Sequence, residues 1–174
     1  MEKKDSKDEL LIDALRRKRL SRKGHGRAIV PANRMGPLLL SWAQQRLWFL
    51  EQMEDLGTAY HMPVVLRLQG ALDVQALQRA LDAIVARHEA LRTVFVQADG
   101  GVEPVQVIRP AEGFSLRQQD LSALEAKELE ASTRQVLRKA MKERFDLSQG
   151  PLIRGLLLKL QPEEHVLLLE MHHI

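Results

Sequence analysis

Apolar positions recur along this chain at two spacings, and each change of spacing marks an element. Over residues 8–20, Leu11, Ile12, Leu15 and Leu20 recur at helical intervals, with acids early and bases late as a helix dipole favours. A loop follows through Ser21–Pro37, punctuated by Gly24, Gly26, Pro31, Gly36 and Pro37, and it forms the clearest boundary in the chain. A second helix is predicted from about Ser41, its N-cap, to Met53, with Leu47, Leu50 and Met53 on one face. Met62–Leu68 alternates as a strand does, setting Val64, Leu66 and Leu68 against Val65 and Arg67, and Gly70 ends it. Asp73 then caps a helix to about His88, with a stripe of Val74, Leu77, Leu81, Ile84, Val85 and His88.

Thr93–Gln97 and Val102–Ile108 read as a hairpin around Asp99-Gly100-Gly101, and Phe114–Gln119 as a further strand. Ser122-Ala-Leu-Glu125 has the form of a capping box that opens a long helix, whose stripe is Leu129, Val136, Leu137, Ala140 and Met141. Beyond Gly150-Pro151, Leu152–Leu160 and His165–Met171 read as two strands. The order is helix, strand, helix, hairpin, strand, helix, strand, strand. It describes a mixed-sheet α/β sandwich, not a regular βαβ winding. At 174 residues, 45% of them apolar and 28% charged, the chain is long enough for one ordinary domain with a real core.

Charge adds a second division. Residues 1–36 hold eleven Lys/Arg against five Asp/Glu, and the eight bases from Arg16 to Arg34 have no acid among them. Such a leader suits an acidic partner as well as plain solvation. Nucleic acid fits poorly, because no aromatic residue is interleaved with the bases. The chain has no cysteine, so disulfides and thiolate metal sites are excluded. Its start carries no apolar signal segment, and apolar runs such as 155–158 and 166–169 are far too short to span a bilayer. A cytoplasmic location is the expectation, with no membrane partner.

His172-His173 is the sharpest chemical feature. Neighbours on a strand point to opposite faces; where the strand ends, His173 can be presented from a loop while His172 anchors the turn. A histidine near its unperturbed pKa suits general base work, although a bare pair at a strand end is also an ordinary polar terminus. His165 lies seven residues before His172 with no third ligand at suggestive spacing, so no metal is expected. Arg87 and His88, at a helix end, are placed to meet its terminal carbonyls. The segment from Ser41 to Arg46 reads as a capped helix start with Trp48 buried behind it.

Four stretches together carry a resemblance. Ser41-Trp-Ala-Gln-Gln-Arg-Leu-Trp-Phe-Leu50 resembles the first core motif of the condensation domains of non-ribosomal peptide synthetases, and Arg87-His-Glu-Ala-Leu-Arg-Thr-Val-Phe95 the second. Phe145-Asp-Leu-Ser-Gln-Gly-Pro-Leu152 is similar to the stretch before their active-site strands. Met171-His-His-Ile174 is similar to the opening of their third motif, M-H-H-x-x-x-D-G, and all four fall in the family's order.

The resemblance implies one lobe of a chloramphenicol acetyltransferase-like fold, in which two related lobes enclose a tunnel. It places residues 37–174 in the amino-terminal lobe, truncated within the third motif, behind a basic leader at 1–36. It implies formation of an amide bond between a donor acyl or peptidyl thioester and the amine of an acceptor amino acid, in antibiotic or other secondary metabolite biosynthesis. His173 would orient or deprotonate that amine and His172 would be structural, with Arg46, Arg87 and Arg92 supporting the motifs. No cofactor is bound by the domain itself; the phosphopantetheine arms belong to donor and acceptor peptidyl carrier domains. A downstream adenylation domain is a further implied partner, and residues 8–34 would dock an upstream synthetase tail. The fragment alone would be inactive, lacking the second lobe. The alternatives are a coenzyme A-dependent acyltransferase of the same fold and a non-catalytic docking module. An epimerisation domain also carries two histidines, but the Ser41–Leu50 segment looks like a condensing member.

Overall fold

The computed structural model of the chain describes residues 34–53, 57–97 and 103–174. The predicted helix and loop before residue 34 lie outside them. Residues 36–174 form one compact unit. Its elements are β1 (Leu38–Leu39), α1 (Trp42–Met53), β2 (His61–Gln69), α2 (Val74–Arg87), a 3₁₀ turn (Glu89–Arg92), β3 (Thr93–Gln97), β4 (Pro104–Ile108), β5 (Leu116–Asp120), α3 (Ala126–Ala140), β6 (Ile153–Gln161) and β7 (Glu164–His172). The strands make two sheets, ordered β1-β4-β3 and β2-β7-β6-β5. All pairs are antiparallel except β5 with β6. This is the mixed-sheet α/β arrangement expected. Among the described residues no helix is long and apolar enough to cross a membrane.

At β6 and β7 the four-stranded sheet is covered on both faces, which explains why these two strands read as nearly continuous leucine. Leu156, Leu158, Leu160, Val166 and Leu168 point to one face, where Leu129, Val136, Leu137, Ala140 and Met141 of the α3 stripe pack on them. Ile153 points to the other face, against Leu81 and Val85 of α2 and Phe114, with Leu169 and Met171 joining them. Gly155 lies on this second face because a ring occupies the room its side chain would need. A Cβ there would stand 2.7 Å from Phe114 Cε1 and 3.0 Å from Leu116 Cδ1. Gly155→Ala is therefore expected to destabilise by about 1–3 kcal/mol through overpacking, read as a lower urea midpoint at unchanged slope.

Local chemistry agrees with the sequence at two helix starts and departs from it at a third. Asp73 caps α2, accepting from Ala76 N–H at 2.8 Å. Ser41 and Gln44 form a reciprocal box: Ser41 Oγ accepts from Gln44 N–H at 3.3 Å, and Gln44 Oε1 accepts from Ser41 N–H at 2.9 Å. The box expected at Ser122–Glu125 does not form. Glu125 is the N-cap and makes no side-chain cap bond, because both the N–H and the hydroxyl of Ser122 turn back to Asp120 Oδ1, at 2.9 and 2.5 Å. The Ser122 hydroxyl is the main reason the exposed Asp120 carboxyl is lowered to about 2. Of the predicted α2 stripe, Leu81 and Val85 are buried, whereas Ile84 and His88 are exposed. Met53 is likewise exposed at the end of α1. His88 closes α2 through its backbone N–H, which donates to Ile84 O, not through its ring.

Candidate active site

The antiparallel register builds the site at one end of the four-stranded sheet. His61 on β2 lies directly opposite His172 on β7, and Arg154 on β6 directly opposite Glu170. Glu170 and His172 are two apart on one strand and so share a face. Glu170 is only 1% exposed. Its Oε1 accepts from His61 Nδ1 at 2.9 Å, and its Oε2 from Arg154 Nε at 3.0 Å and Nη2 at 2.8 Å. Three donors on one carboxylate satisfy a charge that would otherwise be prohibitive so deep in the sheet. Arg154 also donates to the carbonyls of Arg144, Ala140 and Glu143, just after and at the end of α3, and its guanidinium sits 4.1 Å over the Phe145 ring. Phe145 in turn meets His61 edge-on at 4.8 Å.

β7 ends at His172, where the Ile174 N–H closes a local side-chain turn on the His172 ring. His172 N–H donates to Leu152 O, and His173 N–H donates to Tyr60 O at 2.9 Å. The His172 ring is buried: its Nδ1 accepts from Ile174 N–H at 3.1 Å, and its Nε2 lies 3.4 Å from Glu51 Oε1 on α1. Gln44, also on α1, donates Nε2 to Ile174 O at 3.3 Å. His173 is exposed at the mouth of a cleft of about 210 Å³, walled by Met62, Leu91, Thr93, Phe95, Leu152 and Met171 among others. One ring is thus locked into the fold and the next residue is exposed beside the cleft.

Burial, the largest cause, holds the His172 pKa below its ordinary 6.5, and the Glu51 carboxylate opposes the shift. The unfolded chain then binds the proton more readily than the folded one, so acid draws the equilibrium toward unfolding. His172 stability is present above pH 6.5 and is lost as pH falls below it, at up to about 1.4 kcal/mol per pH unit. Urea titrations between pH 7.5 and 5 are expected to show a component of this slope that His172→Gln removes.

The Phe145–Leu152 stretch supports the same end of the sheet. Asp146 Oδ1 accepts from the Ser148 hydroxyl, Ser148 N–H and Gln149 N–H, which lowers its pKa, the hydroxyl contributing most. Leu147 O accepts from Phe95 N–H at 2.8 Å, tying this loop to β3. None of the three arginines singled out by sequence lines the cleft beside His173. Arg46 and Arg87 are exposed, and Arg92 donates Nη1 to Arg109 O at 2.5 Å beside a separate hollow of about 520 Å³. Sequence reasoning missed Glu51, His61, Arg154 and Glu170. A carboxylate inside the apolar run Val166–Met171 was the available signal, since such a charge needs a partner. Among the described residues no group of three or more His, Asp or Glu side chains could hold a metal ion.

An exposed histidine at a strand end, backed by a buried one, is thus set on a mixed-sheet α/β unit. The family model of the Condensation domain matches residues 35–174, and the chain belongs to the condensation-domain family of non-ribosomal peptide synthetases, whose members catalyse amide bond formation. It is 46% identical over 147 residues to malpinin synthetase of Mortierella alpina, covering 84% of this chain and 2% of that protein. It is 43% identical over 157 residues to malpibaldin synthetase of the same organism, covering 89% and 3%. Among solved structures it superposes on the first condensation domain of the calcium-dependent antibiotic synthetase with a TM-score of 0.67 at 26% identity, covering 80% of this chain and 33% of that one. The X-domain from teicoplanin biosynthesis gives 0.67 at 33% identity, covering 82% and 29%. The chain therefore spans about a third of the solved domains it matches and a small fraction of the curated relatives.

Proposed function

We propose that this chain supplies the amino-terminal lobe of a domain that joins a carrier-bound donor thioester to the amine of a carrier-bound acceptor amino acid. The observation that carries this reading is the exposure of His173 beside the cleft while His172 is fixed beneath it. In the reaction the acceptor nitrogen attacks the thioester carbonyl, the C–N bond forms and the C–S bond breaks. The amine loses a proton, for which His173 is the nearby acceptor or orienting group, and the departing sulfur leaves as a thiol on the donor's phosphopantetheine arm. Donor and acceptor carrier domains and a downstream adenylation domain are the corresponding partners. The basic segment 8–34, nearly all of it outside the described residues, would dock an upstream synthetase tail; collective electrostatic attraction there would chiefly raise the rate of encounter.

The test is product formation from loaded donor and acceptor carriers, using the isolated chain and the complete condensation domain in parallel. We expect turnover by the complete domain and none by the isolated chain, because the tunnel of the family's fold needs two lobes. Comparable rates from both would refute the need for the second lobe, and no product from the complete domain would overturn the reading itself.

A further inference from the structure

We infer that Glu51 is a positioning residue for the reacting histidine, acting through His172 by fixing which nitrogen of that ring carries the proton. A neutral imidazole has one N–H and one acceptor nitrogen. Ile174 N–H already points into His172 Nδ1 at 3.1 Å, so Nδ1 must offer its lone pair and the proton must sit on Nε2. At 8% exposure, that Nε2–H would be a buried donor without a partner. Glu51 Oε1, 3.4 Å away on the neighbouring helix, is the acceptor it meets.

The other groups facing the ring do not replace it. His61 from β2 stands with its centroid 6.0 Å away and its Nδ1 committed to Glu170. The Phe145 and Tyr60 rings are 6.2 and 6.3 Å away. Glu170 is occupied by His61 and Arg154, and His173 is exposed on the far side of the turn. In the opposite tautomer, Nδ1–H and Ile174 N–H would confront each other as two donors, and the turn that sets His173 beside the cleft would open. Gln44 holds the other side of that turn through Ile174 O, and it sits two helical turns before Glu51 on the same face of α1. Helix α1 thus grips the residues around His173 at two points.

The inference rests on the role proposed for His173, but its test needs no substrate. Ring nitrogens of ¹⁵N-histidine-labelled chain are compared in the wild type, Glu51→Gln and Glu51→Leu. Glutamine keeps an acceptor oxygen, so the Nε2–H tautomer should dominate as in the wild type; leucine removes it, and the tautomer ratio should fall by about tenfold or more, the scale of one hydrogen bond to a charged group. Hydrogen exchange at His173 N–H should quicken in the leucine variant relative to the interior of β6. The glutamine variant should also lower the His172 titration midpoint, because the carboxylate that favours the protonated ring is gone. This shift is not expected of a residue that merely fills space, and it decides the matter if Glu51→Leu does not fold. An Nδ1–H tautomer in the wild type, or a midpoint unmoved by Glu51→Gln, overturns the inference. Neither result depends on whether His173 acts on an amine, so the two readings can fail separately.

Discussion

His173→Ala in the complete condensation domain should reduce amide formation by roughly 10²–10⁴-fold while leaving the fold intact, the range typical for loss of a positioned general base. The structure separates the two halves of that statement. The His173 ring is exposed, and what ties the residue to the fold is its backbone N–H on Tyr60 O, which alanine keeps. His172→Ala should behave differently, since it deletes a buried ring, the acceptor for Ile174 N–H and the partner of Glu51. Its loss of activity should be accompanied by a lower unfolding midpoint. Single-turnover rates with loaded carriers, set beside urea melts of the same variants, resolve the two cases. A folded His173→Ala domain that condenses at the wild-type rate would leave substrate positioning and electrostatics as the source of catalysis.

Arg154→Leu should be the most damaging single change to stability, at about 3–5 kcal/mol, because it strands a buried charge. Glu170 would keep only His61 of its partners, and the carbonyls of Arg144, Ala140 and Glu143 would lose a shared donor where α3 ends. The Phe145 ring would also lose the cation above it. Arg154→Leu with Glu170→Leu should recover much of the loss, since the pair is then replaced by apolar groups facing each other across β6 and β7. A four-member urea series measures the coupling directly. Equal and additive losses from the two single changes would show that the carboxylate does not depend on the arginine.

Apart from the two-residue β1, the helices and strands of residues 36–174 were legible because local spacing and local chemistry agree. Asp73 and Ser41 read as caps and act as caps, and β6 and β7 lie within a residue or two of their predicted bounds. Where the reading failed, a competing partner lay nearby. Ser122 had the spacing of a capping box, but Asp120 two residues earlier captured its hydroxyl. Ile84 and Met53 had helical spacing, yet among the described residues no neighbouring element covers them. Of the predicted hairpin strands, Thr93–Gln97 formed with the expected bounds and Val102–Ile108 over Pro104–Ile108, while the turn between them and Val102 lie outside the described residues. His172 and His173 were recognisable from their neighbours in the chain. Their surroundings were not, because Glu51 reaches His172, and His61 and Arg154 reach the neighbouring Glu170, only through the sheet register and the placement of α1, across separations of 121, 109 and 16 residues.

β2 leaves a problem of self-recognition for the chain to manage. It is the outer strand of its sheet, and Val64, Val65 and Leu66 stand 43–48% exposed on both of its faces. A run of alternating open amides and carbonyls with apolar side chains is a template on which another strand can assemble. Pro63 interrupts that template near one end by removing a donor, and Arg67, paired with Glu164, sets a charge near the other. Between those two guards only three residues remain inviting. A concentrated solution of the isolated chain should therefore associate through this short stretch, and Val65→Lys should make it more soluble without disturbing the pairing of β2 with β7.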